Sequence, residues 1–161
     1  MFPLLHVLSA LAAEPFTTND TNGTVSVACV VGASPTELRA LIADPQSALS
    51  LTPEVLSVKT LSKGECLTLG VTVKGAWDPL TYTSQRCPTA TGYKYKLLQS
   101  ADITVYEAEW KFDPLPEGGT KVTYNLKTEI DLLVPQALVH KGVIDSAKET
   151  IRQLMAKVAR K

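Results

Sequence analysis

The sequence predicts one α+β domain, a curved antiparallel sheet of about seven strands wrapped around a long C-terminal helix, with two short helices after the first strand. Three observations predict it. Short β-patterned runs follow one another through the middle of the chain, and the gaps between them are short and rich in turn residues, which favours hairpins and a meander. From Val134 onward the apolar residues recur with a helical period instead. Between the first strand and the meander stand well-formed helix start signals. At 161 residues, 45% of them apolar, the chain has the size and composition for a single core.

Residues 24–31 are β-branched or small and read as the first strand. Ser34-Pro35-Thr36-Glu37 then supplies an N-cap, a proline at the first helical position and a capping-box glutamate. This helix runs through Leu38, Leu41 and Ile42 and stops near Asp44-Pro45, and a second helical turn covers 46–51. Strands are expected at 55–61, 66–74, 80–87, 93–98, 103–112 and 121–132, with turn residues such as Ser62-Lys63-Gly64 and Gly118-Gly119 between them. Alternation assigns their faces. Leu67, Leu69, Val71 and Val73 share one face, as do Tyr93, Tyr95 and Leu97 on a later strand. Tyr106, Ala108, Trp110 and Phe112, then Val122, Tyr124, Leu126, Thr128, Ile130 and Leu132, continue that apolar side opposite Lys and Glu. In the terminal helix Leu138, Val143, Ala147, Ile151, Leu154 and Val158 form the apolar stripe. At ~1.5 Å per residue that helix spans ~35 to 40 Å, enough to cross the whole sheet. Gly142 and Ser146 loosen or bend its first half.

The formal net charge is zero, which argues against a nucleic-acid partner. No stretch reaches the ~18 to 20 apolar residues of a transmembrane helix. Residues 1–13 form an apolar run ending in Ala10-Leu11-Ala12-Ala13, but no Lys or Arg precedes it. Two readings stand: a cleaved signal peptide or an N-terminal arm. The first places the protein in a secreted, periplasmic or secretory-lumen setting, the second in the cytoplasm. Asn19-Asp20-Thr21 and Asn22-Gly23-Thr24 fit the glycosylation acceptor pattern and lean towards secretion.

No catalytic set emerges. The histidines are His6, inside the apolar run, and His140 on the terminal helix, which reads as a surface residue. No metal-ligand spacing and no phosphate-cradling loop is present, so neither a metal nor a cofactor is expected. Glu107 and Glu109 fall on the outer face by parity, where Lys94 and Lys96 of the preceding strand account for them as ion pairs. If 66–74 and 80–87 pair with Ala76-Trp77 at the tip, Val73 faces Leu80, Val71 faces Tyr82, Leu69 faces Ser84 and Leu67 faces Arg86. Arg86 then lies on the inner face and needs an internal carboxylate or an acidic ligand head group, unless it reaches solvent at the strand end. The same register sets Cys66 opposite Cys87 on the outer face, a geometry compatible with a disulfide in an oxidising compartment, and leaves Cys29 as a small core residue. Five inward tyrosines need hydroxyl partners and suit a partly polar pocket better than a dry core.

Several strings resemble one superfamily. Val30-Val31-Gly32-Ala33-Ser34-Pro35 into Leu38-Arg39-Ala40-Leu41-Ile42-Ala43-Asp44-Pro45 is similar to the opening of SRPBCC (START-like) domains, and so is Leu51-Thr52-Pro53-Glu54-Val55-Leu56. Trp110-Lys111-Phe112-Asp113-Pro114 through Gly118-Gly119-Thr120 resembles their last hairpin, and Leu132-Leu133-Val134-Pro135 the approach to their terminal helix. The resemblance covers residues 24–161 and is strongest to the small polyketide cyclase/dehydrase and lipid transport group. It implies the helix-grip fold and a cavity between sheet and terminal helix. The expected function is binding or transport of a small apolar or amphipathic molecule such as a lipid, isoprenoid quinone or polyketide, with transient membrane contact for exchange. Leu67, Leu69, Val71, Trp110, Leu126 and Ile130 are the candidate apolar walls. Tyr82, Ser84, Arg86, Tyr95, Tyr106 and Tyr124 are the candidate orienting groups. The alternatives are a cyclase-like enzyme using cavity Tyr or Arg, and a protein-interaction module.

Overall fold

Period-two alternation gives the strands one buried and one wet face, and eight of them join edge to edge in the computed structural model, which describes residues 16–160 except Leu132. The strands are β1 (Phe16–Thr21), β2 (Thr24–Val31), β3 (Val55–Ser62), β4 (Leu67–Val73), β5 (Leu80–Pro88), β6 (Gly92–Ser100), β7 (Ile103–Pro114) and β8 (Thr120–Ile130). Their order is β1-β2-β8-β7-β6-β5-β4-β3, with every neighbouring pair antiparallel. The meander β3 to β8 is thus continued by β2, and β1 and β3 are the free edges. The apolar run 1–13, with His6, lies outside the described residues.

The expected seven strands become eight because β1 was not anticipated. Its residues Thr17 to Asp20 are exposed and carry no apolar alternation, so they give no strand signal. The turn that makes the strand was nevertheless written in the chain. Asn22 and Gly23 take φ of 54° and 79°, and Thr21 pairs with Thr24 across them. Two successive positive φ values are what a two-residue hairpin turn requires, and Asn-Gly meets that requirement at least strain.

Between β2 and β3 the chain forms α1 (Pro35–Leu41) and α2 (Pro45–Leu49). Each starts with a side-chain cap and a proline: Ser34 Oγ accepts from Glu37 N at 3.2 Å, and Asp44 Oδ2 from Ser47 N at 3.0 Å. The terminal helix α3 (Gln136–Ala159) packs across β2 and β8, burying Val143, Ala147, Thr150, Ile151 and Leu154. The core lies between these helices and the inner face, centred on Val25, Val27, Leu38, Ile42, Leu69, Phe112 and Val122.

The β4–β5 register pairs Val73 with Leu80, Val71 with Tyr82, Leu69 with Ser84 and Leu67 with Arg86. Just beyond the last pair, Cys66 and Cys87 are joined as a disulfide with Cα atoms 4.4 Å apart. Cys29 is a buried free thiol, and burial pushes its pKa up to about 11. Replacing Cys66 and Cys87 with Ser should cost about 3 kcal/mol, the loop-entropy value for a closed loop of this length. A lower urea midpoint reads it, and unchanged stability would show that the hairpin is held by its ladder alone.

Candidate functional site

The two ends of the inner face are filled differently. At one end α1 lies over the sheet and is locked there by Arg86, which is 3% exposed. Its Nη1 donates to the Ala43 carbonyl at 2.8 Å and its Nη2 to the Ile42 carbonyl, both just past the last turn of α1. The guanidinium also stacks on Tyr93, 3.9 Å from the ring centroid. Carbonyls at a helix C-terminus lack intrahelical partners and carry partial negative charge, so they suit a buried cation. Of the expected partners, neither an internal carboxylate nor solvent meets it; backbone carbonyls do. Nearby, Ser84 Oγ, Arg86 Nε and Tyr95 Oη are buried without a hydrogen bond among the described residues.

At the other end α3 stands off the sheet and leaves a cavity of about 390 Å³. Val73 and Leu80 from β4 and β5, Ile103 from β7, and Leu126 and Ile130 from β8 form its apolar sheet wall. The helix wall is Leu138, Val139, Gly142, Val143 and Ser146. Gly142 leaves room on this wall: a Cβ placed on it meets no heavy atom within 4 Å. The side wall comes from α2 and the segment behind it, through Leu49, Thr52, Glu54 and Val55. Ser146 Oγ donates to Glu54 Oε2 at 3.0 Å, and Thr52 and Thr150 hydroxyls meet at 3.1 Å, so this segment is tied to α3. Lys74 and Ala76 stand at the β4–β5 tip, beside the mouth.

Residues 22–161 match the family described as polyketide cyclase / dehydrase and lipid transport. The chain belongs to that family. Solved structures agree on the fold. A START superfamily protein from Mycobacterium smegmatis is 20% identical with a TM-score of 0.72, covering 85% of this chain and 97% of its own. Human StAR-related lipid transfer protein 5 is 10% identical with a TM-score of 0.69, covering 93% and 89%. The Zhui aromatase/cyclase from Streptomyces sp. R1128 is 19% identical with a TM-score of 0.58, covering 85% and 86%. No curated protein matches the sequence. At these identities the likeness establishes the helix-grip fold, and the chemistry of this family member has to be argued from its own cavity.

Of the twelve residues expected to line the cavity, Tyr82, Tyr106, Tyr124, Leu126 and Ile130 do so. Leu67, Leu69, Val71, Ser84, Arg86, Tyr95 and Trp110 do not, although they share the inner side of the sheet. They are packed against core neighbours instead; Trp110, for example, lies on Tyr124 at 4.4 Å and on Phe112 at 6.0 Å between centroids. Parity identified the inward side but not how far the helices stand from it. Residues missed include Thr52, Glu54 and Val55, which lie at the α2–β3 junction outside any cavity-facing period, together with Leu49 of α2 and Lys74 and Ala76 at the β4–β5 tip. Val73 and Thr128 were legible as inward, and Gly142 and Ser146 as small positions in the helix.

The tyrosines keep their protons. Burial pushes the pKa values of Tyr82, Tyr95, Tyr106 and Tyr124 up, and mutual proximity pushes Tyr106 and Tyr124 further. Tyr82 and Tyr106 rings lie 4.8 Å apart with their hydroxyls in contact, and the Tyr124 hydroxyl is beside Thr52. The cavity therefore offers neutral hydroxyls and one carboxylate, Glu54. Elsewhere His140 Nε2 meets Asp20 Oδ2 at 2.5 Å, tying α3 to β1. Glu109 pairs with Lys94 at 3.6 Å and Lys111 at 3.5 Å on the outer face. A second depression of about 430 Å³ there is walled by charged Lys94, Lys96, Glu107, Glu109 and Lys127. Among the described residues no group of three metal-ligating side chains occurs, and no helix is long and apolar enough to cross a membrane.

Two outcomes follow from this geometry. A tyrosine whose pKa is raised by folding stays protonated in the folded state after the unfolded chain begins to ionise. Its contribution is complete below the unfolded value of about 10 and falls by up to about 1.4 kcal/mol per pH unit above it. Alkaline titration should thus show tyrosinate absorbance of the buried tyrosines rising together with loss of near-UV circular dichroism; ionisation preceding unfolding would contradict the burial. Arg86→Met should cost about 2–3 kcal/mol, by stranding the Ile42 and Ala43 carbonyls. Ligand affinity should stay within about twofold, since Arg86 is outside the cavity; a large loss of binding at unchanged stability would return it to the site.

Proposed function

We propose that this protein binds and carries a small apolar or amphipathic molecule, such as a lipid, isoprenoid quinone or polyketide-like compound, in the cavity under α3. One observation carries the reading: about 390 Å³ of space lies between an apolar sheet wall and a mostly apolar helix face, in a chain of the polyketide cyclase / dehydrase and lipid transport family. The volume is near the lower end of the ~300–1,000 Å³ usual for small-molecule sites, which suits a compact or single-tailed ligand over a two-tailed phospholipid. Burial supplies the affinity and the tyrosine hydroxyls supply orientation.

A transient membrane contact for ligand exchange belongs to this proposal. Trp77 at the β4–β5 tip is 80% exposed, Leu138 at the mouth is 60% exposed, and Leu133 just before α3 is fully exposed. Exposed apolar side chains, Leu138 of the cavity lining among them, favour an interface where they can be shielded. The Cys66–Cys87 disulfide favours an oxidising compartment, in line with the signal-peptide reading of residues 1–13.

A second reading is a cyclase-like enzyme. What favours it is Glu54, a carboxylate lining the same cavity as Tyr82, Tyr106 and Tyr124. It would be supported by turnover of a poly-β-keto compound that is lost in Glu54→Gln while binding persists.

Native mass spectrometry of protein from its own host, followed by extraction and identification of bound material, tests the carrier reading directly. A stoichiometric apolar compound is expected. An empty protein that also ignores neutral apolar dyes would sink it. Gly142→Phe fills space on the helix wall and should weaken dye binding at least about tenfold with little loss of stability, while Glu109→Ala on the outer face should leave binding unchanged. Equal effects of the two would place the dye elsewhere.

A further inference from the structure

Glu54 introduces a discrimination that the tyrosines cannot. A tyrosine hydroxyl both donates and accepts, so Tyr82, Tyr106 and Tyr124 can serve a ligand carbonyl, hydroxyl or carboxylate alike. An ionised carboxylate only accepts. Glu54 is half-buried, and its Oε2 receives the Ser146 hydroxyl at 3.0 Å. No Lys or Arg forms an ion pair with it among the described residues. Lys74, the other charged residue of the lining, is exposed at the mouth, where water screens it. Arg86, the buried cation, is outside the lining and has two donors engaged by the Ile42 and Ala43 carbonyls. The cavity thus carries an acceptor that wants a hydrogen-bond donor and lacks a buried cation to hold an acid.

We propose that Glu54 makes the cavity selective for a neutral apolar ligand bearing a hydroxyl, an alcohol or phenol, and against fatty acids and other anionic lipids. A ligand hydroxyl completes the second side of the Glu54 carboxylate. A ligand carboxylate instead brings a like charge beside the half-buried Glu54 carboxylate and offers it no donor. This inference deepens the carrier reading and rests on it.

The test compares 1-dodecanol with dodecanoate at pH 8, below their aggregation limits, by displacement of a neutral environment-sensitive dye from the full chain. Wild-type protein should prefer dodecanol by at least about tenfold. Glu54→Gln keeps the shape but removes the charge and can donate, so the preference should collapse towards parity. Ser146→Ala keeps the charge and should retain the preference. Equal or tighter binding of dodecanoate by the wild type overturns the assignment whether or not Glu54→Gln folds. So does an unchanged ratio in a folded Glu54→Gln. A protein that binds neither compound nor the dye sinks the carrier reading and this inference with it, whereas dye binding without discrimination sinks the Glu54 assignment alone.

Discussion

The buried Arg86 guanidinium is the interaction on which the rest of the arrangement hangs. A charge at 3% exposure is tolerated because the C-terminal carbonyls of α1 and the face of Tyr93 replace its water. Arg39 on α1 adds a second tie, donating to the Thr89 carbonyl at 3.0 Å and flanking the same Tyr93 ring. With α1 packed on β7 and tied to Arg86 of β5, the chain passes through α2 to reach β3. That path delivers Thr52 and Glu54 to the far end, where they meet Thr150 and Ser146 of α3. The closed end and the open end are therefore two results of one anchoring.

Much of this fold was legible in the sequence because its signals are local. Ser34-Pro35 and Asp44-Pro45 announce their helices by cap chemistry, and the β4–β5 pairing follows from counting outward from the tip. The site was legible only in part. Leu69, Trp110 and Tyr95 have the same inward parity as Leu126 and Tyr106, yet one group is packed in the core and the other lines open space. Which is which depends on the tilt and height of α1 and α3, a tertiary property that a strand period does not encode. Glu54 escaped for another reason. It enters the cavity from a helix–strand junction, where no period marks a direction.

The chemistry that results is uneven in kind. Phenols that burial keeps neutral give most of the interior its polarity, and the ion pairs named above lie on the outside of the sheet or, for His140 and Asp20, between α3 and β1. Net charge zero for the whole chain hides this separation. The sheet keeps its saline face to water and its uncharged hydroxyls inside, with two exceptions: the Arg86 guanidinium held by the end of α1, and Glu54 at the seam between α2, β3 and α3.

Gly142 has a consequence for how such a protein diversifies. It is on the surface of α3 and no side chain of the core leans on it, so residues of graded size can occupy the position without disturbing the sheet. The helix then behaves as an adjustable stop, one position long, that sets how large a guest the same frame admits. A change of guest size would then need a single substitution on the helix and none at the β4–β5 disulfide or the Arg86 anchor.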